Sequence, residues 1–242
     1  MRRRKLIDLL ENRDPPVDDP EGAVAELRVT VDGAVVTNPT SMVRPDARIV
    51  VRPPKVPQGV RKMRAALDHF GVDPTGRRAV DLGACTGGFT LALLEAGASE
   101  VAAVDVGYGQ LLGSLQQDPR VQNHERTNVA EVTPALLGGH PGLVVVDVTK
   151  LSLRDVARQL VANEVPGPGT ELVGLVKPMF ELGWGELPTS AVDLDAALQL
   201  AVDGIAAEGW DVIATMESPV RGHRGAVEYF VHARWPDRDG GE

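Results

Sequence analysis

Between Ala79 and Leu94 the chain reads AVDLGACTGGFTLALL: an apolar run into Asp81, glycines at 83, 87 and 88, then an apolar stretch of helical character. A strand that turns through glycine straight into a helix leaves few architectures open. Glycine admits the left-handed backbone such a turn needs, and the helix start leaves N–H groups free for a ligand. The rest of the chain from about Gly59 repeats the alternation. RRAVDLG (77–83), EVAAVDVG (100–107), GLVVVDV (142–148) and ELVGLVKP (171–178) read as buried strands. GGFTLALLEAGA, SLRDVARQLVANEV and VDLDAALQLAVDGIAAEG read as helices, the first ending at Gly97 and the last stopped by Gly209. Continuous apolar strands must be covered on both faces, so the pattern predicts a mostly parallel, doubly wound α/β sheet. WDVIATMESP and VEYFVHARW close that sheet, and VEYFVHA alternates as an edge or antiparallel hairpin strand would. VQNHERTN (121–128) belongs to a segment of mixed character.

Residues 1–53 read as a separate unit. LIDLLE is a short helical piece and PPVDDPEG a loop rich in helix breakers. ELRVTVDGAVV gives two alternating strands around Asp32-Gly33, a hairpin signal, and ARIVVRP a third strand. Residues 54–60 are the expected connector, 61–236 the second domain and 237–242 a disordered tail.

The net charge of −9 is unevenly spread. Residues 1–62 hold 12 Lys and Arg against 9 Asp and Glu, the remainder 13 against 25. Affinity for a polyanion should therefore concentrate at the N-terminal end, where Arg2, Arg3, Arg4 and Lys5 stand together. Cys85 is the one cysteine, which excludes an internal disulfide and a cysteine-rich metal site; no metal is expected. It reads as a small filler of the turn rather than a nucleophile, since no histidine lies near it in sequence. No apolar run reaches the ~18 residues of a membrane span, and the N-terminus lacks a signal-peptide cleavage pattern. The expectation is a cytoplasmic protein without membrane partners.

Taken alone, the glycine turn fits any nucleotide-binding α/β domain. Its D-L-G-A-C-T-G-G differs from the G-x-G-x-x-G of dinucleotide enzymes, and an acid at its start suits the cationic end of S-adenosylmethionine better than a pyrophosphate. Asp105 follows about 20 residues after the turn at a strand end, where a carboxylate can accept from ribose hydroxyls. NAD binding stays the less favoured alternative at this point.

A wider set of segments is more specific. GVRKMRAALDHFGVD, DVGYGQL, QDPRV, ERTN, VVVDVTKLSL, LVKPMFE and SPVRGHRGAVEYF together resemble the TlyA family of haemolysin A-like RNA methyltransferases over nearly the whole chain. That resemblance implies an S4-like α+β RNA-binding module ahead of an FtsJ-like catalytic domain with a Rossmann-like seven-stranded sheet. It implies S-adenosylmethionine as cofactor, held by Asp81, Gly83, Ala84, Gly87, Gly88, Asp105, Val106, Asn128 and Asp147. It also implies a Lys-Asp-Lys-Glu tetrad for ribose 2′-O-methylation, matched here by Lys62, Asp147, Lys177 and Glu228. A ribose hydroxyl must lose its proton as it attacks the sulfonium methyl, and a lysine held by carboxylates can favour the developing alkoxide or accept that proton. Individually Lys62 would read as a solvated helix residue and Glu228 as an exposed strand residue; their joint occurrence carries the assignment.

The chain departs from the family in four places, one being ELGWGELPTSAVD (181–193), shorter and less basic than its counterpart in the family. The segment PPVDDPEGAVAELRVTVDGAVV is acidic where the module's RNA-binding face would lie, so the module is degenerate. The connector has Gln58-Gly59-Val60-Arg61-Lys62 where the family has R-G-G-x-K. His223 and Arg224 stand where a P-x-G-N-like run is common. The expected partner is therefore RNA or a ribosomal subunit, with a small-molecule acceptor, nucleoside-like or a secondary metabolite, as the alternative and a non-enzymatic RNA-binding protein as the third reading.

Overall fold

Each buried strand seen in the sequence is a strand of one sheet because helices cover both of its faces. The computed structural model describes residues 3–17, 19–25, 27–52 and 56–237. Arg2, residue 53, connector residues 54 and 55 and the expected tail from 238 onward lie outside them. The chain divides into two compact units, 1–56 and 57–242.

In the first unit β1 (Arg4–Lys5) leads into α1 (Leu6–Glu11), followed by α2 (Pro20–Ala25), β2 (Val29–Val31), β3 (Ala34–Val35), β4 (Met42–Val43) and β5 (Ile49–Val51). The Asp32-Gly33 hairpin forms: β2 pairs antiparallel with β3, and β5 adds antiparallel on the other side. Asp32 and Gly33 both have positive φ, as a two-residue hairpin turn requires. Leu6, Leu10, Ala23, Val24, Val29 and Val43 make a small core. The sequence reading of PPVDDPEG as loop throughout is corrected, because its last three residues open α2. Pro20 at the helix start has no N–H to lose, and Asp19 accepts from the Gly22 amide at 2.9 Å. The two-residue pairing of β1 with β4 was too short to leave a periodic signal.

The second unit opens on α3 (Gln58–Phe70), so residues 58–60, expected in the connector, are already helical. Then follow β6 (Arg78–Leu82), α4 (Gly88–Glu95), β7 (Glu100–Asp105), α5 (Gly113–Gln116), β8 (Val121–Glu125), α6 (Pro134–Leu137), β9 (Leu143–Val146), α7 (Leu153–Ala162), β10 (Glu171–Val176), α8 (Pro178–Glu181), α9 (Ala191–Ala207), β11 (Asp211–Glu217) and β12 (Tyr229–Arg234). The seven strands are ordered β11-β12-β10-β9-β6-β7-β8, parallel from β8 to β10, with β12 antiparallel to both neighbours. The pleat explains the unbroken apolar runs: Leu143 and Val145 of β9 pack under α3 and α4, while Val144 and Val146 pack under α7 and α9.

Of the two alternatives for VEYFVHA the antiparallel hairpin strand holds and the edge does not: β12 lies between β11 and β10, with Phe230 in one core and Val231 and Ala233 in the other. The edge is β11, whose exposure alternates residue by residue. VQNHERTN contains the opposite edge strand, β8, whose polar residues hide it from a hydrophobic-pattern reading.

Chain order runs outward from β6 to β8 on one side and restarts at β9 on the other, so β6 and β9 flank the topological switch point. In open α/β sheets ligands bind at the carboxyl ends of strands at such a point. Past the end of β10, Glu181 ends α8 and is buried; its Oε1 accepts from the Leu153 amide at 2.6 Å, tying β10's helical extension to the start of α7. Burial pushes the Glu181 carboxyl up to about 7, outweighing that bond and the nearby Arg154. The native chain thus keeps a proton that the unfolded chain releases in the ordinary carboxylate range, and stability falls as pH rises from there through about 7. In Glu181→Gln that loss is removed, so its urea midpoint should drop less between pH 5 and pH 8 than the wild type's. Equal drops in the two proteins would show that Glu181 is ionised throughout.

Candidate active site

The glycine turn is shaped by close approach. Gly83 has φ +87, and a Cβ on it would lie 2.4 Å from the carbonyl oxygen of Asp147, across the switch point from β6 to β9. Backbone bonds hold the two strand ends in that contact: the Asp147 amide donates to Leu82 at 2.8 Å and the Gly83 amide to Val104 at 2.9 Å. Gly87 has φ +91, and a Cβ there would strike Leu115 of α5 at 2.2 Å. Gly88 meets Gly59 of α3, a Cβ on either coming within 3.0–3.1 Å of the other's Cα. Gly59, in the connector by sequence, is therefore part of the loop's support; its only signal was the glycine itself.

Asp81 is fully buried behind the turn. Its Oδ2 accepts from the Thr90 amide at 2.8 Å and the Thr90 hydroxyl at 2.7 Å, which anchors the first turn of α4. Its Oδ1 is buried without a hydrogen-bond partner. Burial pushes this carboxyl up to about 7, with Asp147 and Asp105 raising it further and the Thr90 bonds opposing. Asp105, at the end of β7, accepts from the Cys85 amide at 2.9 Å and the Gly107 amide at 2.7 Å. A carboxylate has about four lone-pair positions, so acceptor capacity remains. Val106 beside it is 67% exposed, an apolar surface without a protein partner over most of its area, whereas Ala84 is buried in the turn. Asn128, just past β8, caps the 3₁₀ turn 129–131: its side chain accepts from the Ala130 amide, and Glu131 reaches back to its own amide. Asp81, Gly83, Ala84, Gly87, Gly88, Asp105, Val106, Asn128 and Asp147 thus gather at the carboxyl ends of four adjacent strands, β8, β7, β6 and β9.

The four expected reaction residues, Asp147 again among them, form two ion pairs. Lys62 of α3 donates to Glu228 Oε2 at 2.5 Å, and both side chains are buried. Lys177 at the end of β10 meets Asp147 Oδ1 at 2.7 Å, both partly exposed. Lys62 is thus no solvated helix residue and Glu228 no exposed strand residue. All four line a single cavity of about 760 Å³ with largely apolar walls, including Met179, Phe180 and Leu187. Thr149, Glu186, His223 and Arg224 also line it; sequence reasoning did not place them at the site.

The site has the chemistry an S-adenosylmethionine binder needs. Glycines let the turn close against Asp147, α5 and α3 at the strand ends, an unpartnered buried carboxylate oxygen answers a cation, and an exposed valine beside Asp105 offers an apolar seat. Among the described residues no group of three or more His, Cys, Asp or Glu could hold a metal ion, and no helix is long and apolar enough to cross a membrane.

Comparison with known proteins agrees. The model of the FtsJ-like methyltransferases matches residues 56–235. The 16S/23S rRNA (cytidine-2′-O)-methyltransferase TlyA of Mycobacterium tuberculosis is 40% identical over 216 residues, covering 86% of this chain and 80% of that protein. Hemolysin A of Brachyspira hyodysenteriae is 31% identical over 84% of this chain and 88% of its own length. Among solved structures, a candidate hemolysin from Streptococcus thermophilus superposes with a TM-score of 0.72 at 27% identity, covering 98% of this chain and 90% of that one. With the glycine turn, the switch point and the paired lysines in place, the chain belongs to the TlyA group of the FtsJ-like family and is an S-adenosylmethionine-dependent methyltransferase.

Proposed function

We propose that this protein methylates the 2′-hydroxyl of a cytidine ribose in ribosomal RNA, with Lys62, Asp147, Lys177 and Glu228 as its reaction machinery. The observation that carries the reading is that two lysine–carboxylate pairs face one cavity beside the glycine turn. The names of the Mycobacterium tuberculosis relative and of the Bacillus subtilis protein YqxC, 37% identical over 187 residues, supply the RNA substrate class. S-adenosylmethionine, bound, supplies an electrophilic methyl group that needs no metal.

Lys177, held by Asp147 at the cavity wall, is the group that takes up the hydroxyl proton or steadies the alkoxide as it forms. Glu228 holds Lys62 in a dry position, where its ammonium orients the acceptor. Asp81, Gly83, Ala84, Gly87, Gly88, Asp105, Val106 and Asn128 hold the donor. The apolar wall excludes water, and much of the acceleration comes from placing oxygen and methyl carbon in line. Residues 1–53 act as an S4-like RNA-binding unit, with exposed Arg3, Arg4 and Lys5 meeting phosphate. A cytoplasmic location follows from a ribosomal substrate. The acidic catalytic portion is the feature that favours a small acceptor, and the rRNA substrates in the relatives' names weigh against it.

With radiolabelled S-adenosylmethionine and unmethylated ribosomal subunits, wild type should label RNA at a ribose. Lys177→Ala should lose on the order of 10² to 10⁴ in kcat while retaining donor affinity. Undiminished labelling by the variant would remove Lys177 from the chemistry, and label confined to small molecules of a cell extract would overturn the RNA reading. In Gly83→Ala the added methyl meets the Asp147 carbonyl oxygen on a backbone that disfavours alanine, so calorimetry should find donor binding weakened at least tenfold, an order-of-magnitude expectation. Wild-type affinity there would mean the donor sits elsewhere.

A further inference from the structure

Six residues lining the cavity carry formal charge: Lys62, Asp147, Lys177, Glu186, Arg224 and Glu228. Four of them cancel as the two ion pairs of 2.5 and 2.7 Å. Both lysines are therefore neutralised by the contacts that position them. Arg224 is the cation of the cavity wall that makes no hydrogen bond or ion pair with its side chain among the described residues. It is exposed, and it faces an approach otherwise set in a strongly acidic portion of the chain.

The turn that carries it is built against the reaction machinery. A Cβ on Gly222 would lie 2.2 Å from Glu228 Oε1, so the turn's backbone rests on the carboxylate that holds Lys62. The Gly222 amide donates to Ala226 at 2.9 Å, Gly225 to Gly222 at 3.1 Å and Ala226 to His223 at 3.2 Å, closing a compact loop around Arg224. Arg224 itself has φ +55, a conformation that few non-glycine residues adopt. Neighbouring Arg221, also exposed, differs on two counts: it does not line the cavity, and it pairs with Glu217 at 3.1 Å.

We propose that Arg224 binds the phosphate next to the acceptor ribose and thereby selects a polynucleotide over a free nucleoside. A guanidinium fork matches phosphate oxygens, and this one has no internal partner to give up. The inference rests on the RNA reading above.

The test is steady-state methylation of unmethylated ribosomal subunits across a salt series by wild type, Arg224→Gln, Arg224→Lys and Arg221→Gln, with donor affinity and thermal midpoint measured alongside. Arg224→Gln should raise KM for subunits roughly tenfold or more and flatten the salt dependence by about one ion, with donor affinity unchanged. Arg224→Lys should recover part of the KM, and Arg221→Gln should leave KM within about twofold of wild type. An unchanged KM and salt slope in Arg224→Gln, or an equal rise in Arg221→Gln, overturns the assignment while wild-type labelling keeps the RNA reading standing. Failure of the wild type to label subunits at all overturns both.

Discussion

The contact on which the site depends is the one between Gly83 and the backbone of Asp147. It joins the two strands that flank the switch point, between a residue proposed to hold the donor and one proposed to take part in the reaction. There is no room for a side chain at Gly83, so the turn after β6 can press on the end of β9. The same closeness sets Asp147 where it meets Lys177 from the neighbouring strand. The glycine turn and the Lys177–Asp147 pair are thus linked through backbone.

The two lysine–carboxylate pairs differ in character. Lys62–Glu228 is buried, and desolvating two charges offsets most of their attraction, so its value lies in geometry rather than stability. Removing one partner alone would strand the other in a dry place, at a cost of about 3–5 kcal/mol. Lys177–Asp147 is more open to solvent, which fits the proposed role of Lys177 in taking up the hydroxyl proton or steadying the alkoxide. Asp81 shows a third arrangement. It spends one oxygen on the start of α4 and leaves the other unpartnered, so a cation arriving nearby would favour its ionised form.

Much of this was legible in the sequence. The runs VVVDV and ELVGLV announced strands buried on both faces, and D-L-G-A-C-T-G-G announced a turn that approaches a ligand. The four expected reaction residues, 62, 147, 177 and 228, come together across as many as 166 positions of chain. Edge strands were harder. β8 is polar, so hydrophobic alternation could not report it, and the alternation of VEYFVHA fitted both an edge and an antiparallel hairpin strand, of which β12 is the second.

By itself the sequence determined the class of sheet, the place of the glycine turn and the residue types of the chemistry, because periodicity and backbone freedom are local properties. Only the tertiary structure decided how charges pair. Local pattern gave Lys62 and Glu228 as exposed residues, yet packing α3 against the sheet makes them a buried ion pair. Nor could sequence show that Gly59 serves Gly88, or that Arg224 faces the cavity while Arg221 is taken by Glu217. Burial and partner choice depend on which segments meet, and that is settled by strand order and helix packing.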